Sequence, residues 1–329
     1  MILVTGGAGY IGSHMNKYLN EKGINTVVLD DLSNGFEELV KWGAFEKANL
    51  LNKQQLDSVF DKYDFEAVIH FAAFADVADS VSNPGKYYRN NVLGTLNLLD
   101  SMREHNVNTL VYSSTSATYG MPEEMPILET QNQDPINPYG MSKLFTEKIL
   151  TDYAKAYGLK FVAFRYFNAA GCAADSEIGE MHQPEHHLIP LVLDAALGIR
   201  DSIKIFGTDY ATKDGTCLRD YVHVTDLAQA HLKAVEYLQS GGNSDFFNLG
   251  LGYGFTVKEI IEAAKEVTGV NFKVDEAPRR AGDPPELCSG GKKAREVLNW
   301  EPEYNSIKDI IQTAWDWHTK YRSKENAHK

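Results

Sequence analysis

Residues 4–12, VTGGAGYIG, join a short β-branched run to an amphipathic one. Gly7 to Gly12 fit G-x-G-x-x-G, and Gly6, Gly9 and Gly12 also recur every third residue. Glycines at this spacing let a backbone turn tightly and approach a pyrophosphate at a helix N-terminus, provided that a strand precedes and a helix follows. Both flanks are present: ILVT (2–5) reads as a strand, and residues 10–22 carry helical periodicity. Asp30 ends the next apolar run (26–29), 18 residues after Gly12, where it can bind a ribose 2′-hydroxyl. Asp31 follows, and two carboxylates would repel a 2′-phosphate, so the expected cofactor is NAD rather than NADP.

The same rhythm continues downstream. AVIHFA (67–72), TLVYSS (109–114) and KFVAFRYF (160–167) read as buried strands, separated by helical patterns at 53–62, about 84–105 and about 139–157. Such alternation predicts an α/β fold with a doubly wound, Rossmann-type parallel sheet. After about residue 170 the pattern loosens into a loop-like stretch (169–187), a helix in LIPLVLDAALG (188–198), strands in SIKIFG (202–207) and FFNLG (246–250), and helices at 225–239, 256–268 and 305–321. The expected division is an NAD-binding unit at 1–170 and a smaller mixed α/β unit at 171–329.

Composition narrows the partners. A net charge of −13 over 329 residues argues against a nucleic-acid or anionic-membrane surface. No apolar run approaches the roughly 18 residues of a membrane span. Three widely spaced cysteines (Cys172, Cys217, Cys288) offer neither a disulfide framework nor a structural zinc knuckle, and they suit a reducing cytoplasm. Met1 runs directly into ILVTGG, without the basic segment of a signal peptide.

NPYGMSKLFTEKIL (137–150) places Tyr139 and Lys143 one helical turn apart. A nearby ammonium favours a phenolate, which can take a proton from an alcohol. Tyr18/Lys22 and Tyr304/Lys308 share the spacing, so position must choose. Tyr139 opens a helix beside the carboxyl edge of the sheet, the edge where ligands bind. Tyr18 lies inside the first helix and Tyr304 near the chain end. SSTSATYG (113–120) supplies hydroxyls at a strand end, including Thr115, 24 residues before Tyr139.

Together the glycine loop, Asp30, HFAA (70–73), NNVLGT (90–95), SSTSATYG, PYGMSK (138–143) and RYFNAAG (165–171) resemble the extended short-chain dehydrogenase/reductase family. DYATKDGTCLRDYVHVTDLA (209–228) and RRAGDPPEL (279–287) are similar to segments of its UDP-galactose 4-epimerases. By that resemblance Tyr139 is the catalytic base, Lys143 holds the nicotinamide ribose, and Thr115 assists the sugar 4-hydroxyl. Gly6, Gly9, Tyr10, Ile11, Gly12, Asp30, Asp31, Asn34, Asn49, Leu50, Phe71, Ala72, Ala73, Asn91 and Phe167 would join Tyr139 and Lys143 around NAD. Asn168, His187, Leu188, Lys204, Ile205, Phe206, Arg219, Tyr221, Arg280, Asp283 and Leu287 would join Thr115 and Tyr139 around a UDP-sugar. The implied reaction inverts C4 through a transient 4-keto sugar, with no net redox change. A homodimer formed through the helices at 84–105 and 139–157 is also implied. Departures from the family pattern are Asn49 in place of an acid, Ala75 where some members carry lysine, and His186-His187-Leu188 in place of an Asn-Asn-Leu-like contact.

Other readings stay open. UDP-N-acetylhexosamines or UDP-pentoses are alternative substrates. A dehydratase would need an Asp-Glu pair after Thr115, where Ser116 and Ala117 stand. A non-catalytic NAD or nucleotide-sugar binder would need no tuned tyrosine. HQPEH (182–186) matches the H-x-x-E-H metalloprotease pattern, but Pro184 breaks the helix that pattern requires, so no metal site is expected.

Overall fold

A computed structural model describes residues 1–280 and 282–327. Its centre is a seven-stranded parallel sheet: β1 (Ile2–Thr5), β2 (Thr26–Asp30), β3 (Ala44–Lys47), β4 (Ala67–His70), β5 (Thr109–Ser113), β6 (Lys160–Tyr166) and, later in the chain, β11 (Asp245–Leu249). Their spatial order is β11-β6-β5-β4-β1-β2-β3. The order reverses at β1, so a crevice opens at the carboxyl ends of β1 and β4, where a dinucleotide binds in such sheets. Every residue of β1, β2, β4 and β5 is buried, as expected for a sheet covered on both faces.

The helices provide that cover. α1 (Tyr10–Glu21) and α8 (Val224–Gln239) pack on one face with α10 (Lys292–Leu298), around Met15, Leu19, Ile69, Phe164, Leu227 and Trp300. α2 (Lys53–Lys62), α5 (Gly94–Glu104) and α6 (Pro138–Tyr157) close the other, around Leu3, Leu56, Leu98, Leu110 and Leu150. The helix expected at 84–105 is subdivided. After α3 (Val77–Ser82), α4 (Pro84–Tyr87) leads into a wider π turn (Tyr88–Leu93) before α5.

The smaller unit has its own core, which joins α7 (Leu188–Ala196), α9 (Val257–Thr268) and α11 (Ile307–Ala327) through Ile189, Val192, Ile260, Ile310 and Trp317. Short strands complete it. β7 (Asn168–Ala170) pairs with β10 (Tyr221–His223), and β8 (Ile203–Phe206) with β13 (Val274–Ala277). β9 (Leu218–Arg219) lies between β12 (Phe255–Thr256) and β14 (Glu286–Leu287). The boundary at 170/171 is crossed repeatedly. FFNLG, expected in the smaller unit, forms β11 beside β6, and α8 packs on α1. A short apolar strand carries no signal for which sheet it will join, and this one fills the open edge beside β6.

α6 carries Tyr139 and Lys143, and its placement is specified at both ends. The Asn137 side chain accepts from Gly140 N (2.8 Å), Pro138 occupies the first turn, and Gly158 ends the helix in the left-handed region (φ +75°). Between the caps, Glu147 meets Arg165 of β6 through two hydrogen bonds, Arg165 Nε to Oε1 (3.0 Å) and Nη2 to Oε2 (2.7 Å). Ser114 Oγ and Gln133 Nε2 donate to the same carboxylate. Arg165 Nη1 continues to Tyr119 Oη (2.8 Å), which donates to Asn248 Oδ1 on β11 (2.7 Å). The network pins α6 to β6 and β11 in one register.

Candidate active site

The glycine turn is built for close approach. Gly6 has φ +72°, and a Cβ there would lie 2.5 Å from Ala72 N. A Cβ on Gly12 would lie 2.2 Å from Gly6 O. Gly9 caps α1 without a side-chain hydrogen bond, and no acid occupies the first turn. The first N–H groups of α1 are therefore free for an anion. Asp30 Oδ2 accepts from Ala8 N (3.0 Å) and Oδ1 from Leu32 N (2.8 Å). Burial raises its pKa, and those two N–H groups pull it back. Asn49 Nδ2 donates to Asp31 Oδ2 (2.8 Å), so this departure from the family pattern orients the second carboxylate. Phe36 N donates to Ala8 O (2.9 Å), folding the loop that carries exposed Asn34 against the turn. These features fit a pyrophosphate with an adjoining ribose diol.

Other residues expected around the cofactor differ in what they can offer. Phe71, Ala72 and Ala73 follow β4 and run past Gly6; Phe71 packs on His231 with ring centroids 4.7 Å apart. Phe167 is partly buried just after β6, and Ile11 packs against the sheet core. The Tyr10 side chain is buried and donates to Gly171 O (2.5 Å). Leu50 belongs to the core under α2 and α5. Asn91 is consumed internally: its amide bonds Phe74 O and Ser142 Oγ and accepts from Phe74 N. It shapes the loop after β4 from within the π turn, a distortion frequent near functional sites.

Tyr139, Lys143 and Thr115 meet at the carboxyl edge of β5. Lys143 is buried, and its Nζ donates to Ser113 O (2.7 Å). Thr115 Oγ accepts from Ala117 N (3.1 Å), which leaves its hydroxyl hydrogen to donate toward Tyr139. Burial raises the Tyr139 pKa, and the Thr115 contact opposes the rise. Lys143 is drawn down by burial from 10.5 to about 7, with Glu147 opposing. The expected direct lowering of the phenol by the lysine is thus overridden, because burial penalises both charges. The competing pairs lie elsewhere. Lys22 Nζ lies over the Tyr18 ring (5.2 Å) on the outer face of α1, and Tyr304 stacks on His223 at 3.7 Å.

The opposite rim carries cations. Register sets Leu287 of β14 beside Arg219 of β9. Arg219 Nη2 lies 3.5 Å from Asp283 Oδ1, and Arg280 lies over the Phe206 ring (3.9 Å). Leu287 is only partly buried and lies outside all three apolar cores. Asn168 pairs with Tyr221 across β7 and β10 and donates to Asp220 O (2.9 Å). Alternation along β8 puts Ile205 in the core and leaves Lys204 exposed. Tyr221 is likewise a core residue, and Leu188 packs against the same core. His187 faces Glu180 and Glu185, each 2.9 Å from its Nδ1.

The NAD dependent epimerase/dehydratase family matches residues 2–250. The chain belongs to that family. A UDP-glucose 4-epimerase of Rhizobium meliloti (strain 1021) is 50% identical over 319 residues, 97% of each chain. A crystal structure of UDP-glucose 4-epimerase from Brucella ovis in complex with NAD superposes with TM-score 0.94 at 48% identity, covering 96% of this chain and 97% of the other. The UDP-Glc/GlcNAc 4-epimerase of Campylobacter jejuni gives TM-score 0.86 at 43% identity, covering 97% and 99%. Membership brings NAD as the cofactor, in agreement with the glycine turn and Asp30. Within this epimerase/dehydratase family, Ser116 and Ala117 stand where a dehydratase carries its acid pair, and here Ala117 N only orients Thr115.

Two groups escaped the sequence reading of this family member. One is the Glu147–Arg165–Tyr119–Asn248 network, whose last link joins residues 129 positions apart. The other is Asp220, fully buried, which accepts from Leu251, Gly252 and Ser289 N and so clamps the strand that carries Leu287. A charged residue at an apolar position was the only available signal. Among the described residues, no helix is long and apolar enough to cross a membrane.

Lys143 makes a testable difference to stability. Between about pH 7 and 10.5 the folded chain binds fewer protons here than the unfolded one, so the contribution of this site to stability rises with pH and is lowest below 7. Lys143→Met is expected to raise Tm at pH 6 relative to the parent, with the gain shrinking by pH 10. Calorimetry at the two pH values checks this; an unchanged difference would remove burial as the cause.

Proposed function

We propose that the protein interconverts UDP-galactose and UDP-glucose by inverting C4 of the sugar. The observation that carries this reading is the convergence of Tyr139, Thr115 and Lys143 at the carboxyl edge of the sheet that also carries the glycine turn, with Arg219 and Arg280 in the smaller unit. Bound NAD supplies the two-electron acceptor and donor at C4. Tyr139 Oη takes the O4 proton, and Thr115 donates to the oxygen that loses it. A lysine drawn down to about 7 can take up a proton near neutral pH, and the ammonium so formed favours the phenolate one helical turn away. Arg219 and Arg280 can hold a diphosphate bidentately, which leaves the sugar free to present its other face before the proton returns. Tyr139→Phe should leave NAD binding intact and lower kcat by roughly 10²–10⁴, while Tyr18→Phe and Tyr304→Phe do little. Comparable losses at all three positions in a UDP-galactose conversion assay would sink the assignment.

The sugar preference turns on Leu287. Its partial exposure beside Arg219, together with similarity to an enzyme whose name includes UDP-GlcNAc, supports slower turnover of N-acetylated sugars alongside plain hexoses. A crowded acetamido group costs about 1–3 kcal/mol, hence roughly 10–200-fold in kcat/KM. Leu287→Gly should raise activity on UDP-N-acetylgalactosamine while UDP-galactose stays within a few-fold, and Leu287→Tyr should do the reverse. An unchanged substrate ratio in both variants removes Leu287 as the gate.

A homodimer completes the proposal. Leu93, Phe145 and Tyr157, exposed at 47%, 43% and 56%, belong to the segments 84–105 and 139–157. Apolar side chains grouped on one pair of helices suit a self-complementary two-fold contact. The chain should sediment as a dimer and Phe145→Lys as a monomer; a monomeric parent would refute the interface.

A further inference from the structure

The H-x-x-E-H pattern does not form the helix of a metalloprotease: residues 182–186 are irregular, and His186 turns outward to Asp76 (3.4 Å). The neighbouring side chains nevertheless converge. Ligand atoms of Glu180, His182, Glu185 and His187 all lie within 4.8 Å of one another. His187 Nδ1 is 2.9 Å from Glu180 Oε1 and 2.9 Å from Glu185 Oε1. His182 Nδ1 is 3.3 Å from Glu180 Oε1 and 3.4 Å from Glu185 Oε2. Four ligands held about 2.0–2.2 Å from a tetrahedral ion are roughly 3.3–3.5 Å apart. The observed spacings surround that value.

Hydrogen bonding accounts for only part of the cluster, through His187 Nδ1 and Glu185 Oε1 at 2.9 Å. Glu180 and Glu185 are 8% and 7% exposed at the side chain, so two carboxylates are buried together. Glu180 Oε1 and His182 Nδ1 make no hydrogen bond although they lie within reach of each other and of their neighbours. Glu185 Oε1 is held in place by the N–H groups of His186 (2.7 Å) and His187 (2.8 Å), the kind of outer contact that orients a ligating carboxylate. Two carboxylates would balance a divalent charge once each imidazole gives up a proton as the ion binds.

We infer that Glu180, His182, Glu185 and His187 form a structural site for a divalent cation of the zinc class, which fixes the loop entering α7. Imidazole with carboxylate suits zinc, and four protein ligands leave no open position for substrate. The location explains a benefit. His187 caps α7, and the His182 ring meets Tyr10 of the glycine turn edge-on at 6.2 Å. A bound ion would lock that loop against the turn whatever sugar the pocket accepts.

Elemental analysis of the desalted protein, loaded with Zn²⁺ if purified bare, should find about one ion per chain. Glu180→Gln and His182→Ala, each confirmed folded by circular dichroism, should retain less than roughly a tenth of it. Chelation should lower Tm by roughly 5 °C, and Co²⁺ should restore it with the visible absorption of four-coordinate cobalt. Absence of metal from loaded wild-type protein, or equal metal in wild type and both variants, overturns the site.

Discussion

The ion pair between Glu147 and Arg165 is the constraint on which the placement of Tyr139 and Lys143 rests. Both side chains are almost fully buried, at 2% and 4% exposure, and the carboxylate receives four hydrogen bonds, two from Arg165 and one each from Ser114 and Gln133. A buried pair of this kind adds little net stability, since desolvation offsets most of the attraction, but losing one partner costs about 3–5 kcal/mol. Its value here is registry. Glu147 sits one turn beyond Lys143, so any sliding or rotation of α6 that displaced Tyr139 would strand a charge. Through Tyr119 the same pair reaches Asn248, and Asn248 Nδ2 donates to Ile127 O (3.0 Å), so the loop after Thr115 is held as well.

That rigidity suits what burial does to the site. Tyr139 and Lys143 are each pushed toward their neutral forms, the phenol upward and the ammonium to about 7. Groups held near neutrality can exchange protons with little cost, and one helical turn keeps these two adjacent. The glycine turn applies the same principle by packing. Gly6 and Gly12 admit no Cβ, so the turn has one conformation, and that conformation leaves the first N–H groups of α1 unpaired.

The smaller unit is organised differently. Asp220 gathers three backbone N–H groups from distant loops, and Glu180, His182, Glu185 and His187 converge at the entrance to α7. Both place buried acids where elements of the two layers meet.

Local chemistry was legible in the sequence. Strand, glycine turn, helix and terminal acid announced the dinucleotide site because the mechanism demands those residue types at short, fixed spacings. Tyr139 with Lys143 was readable because a helix converts a four-residue interval into adjacency. Tertiary structure decided what depends on distant partners. β11 joined the central sheet rather than the smaller unit because an apolar pentapeptide fits any buried edge and only the opening beside β6 selects it. Ile205 and Tyr221 turned to the core and Asn91 to its own loop, since strand alternation and internal hydrogen bonds are set by neighbours the sequence does not name. Likewise His187, not His186, joined His182, because with no helix through Pro184 the convergence of side chains follows the path of the loop and not the motif's interval.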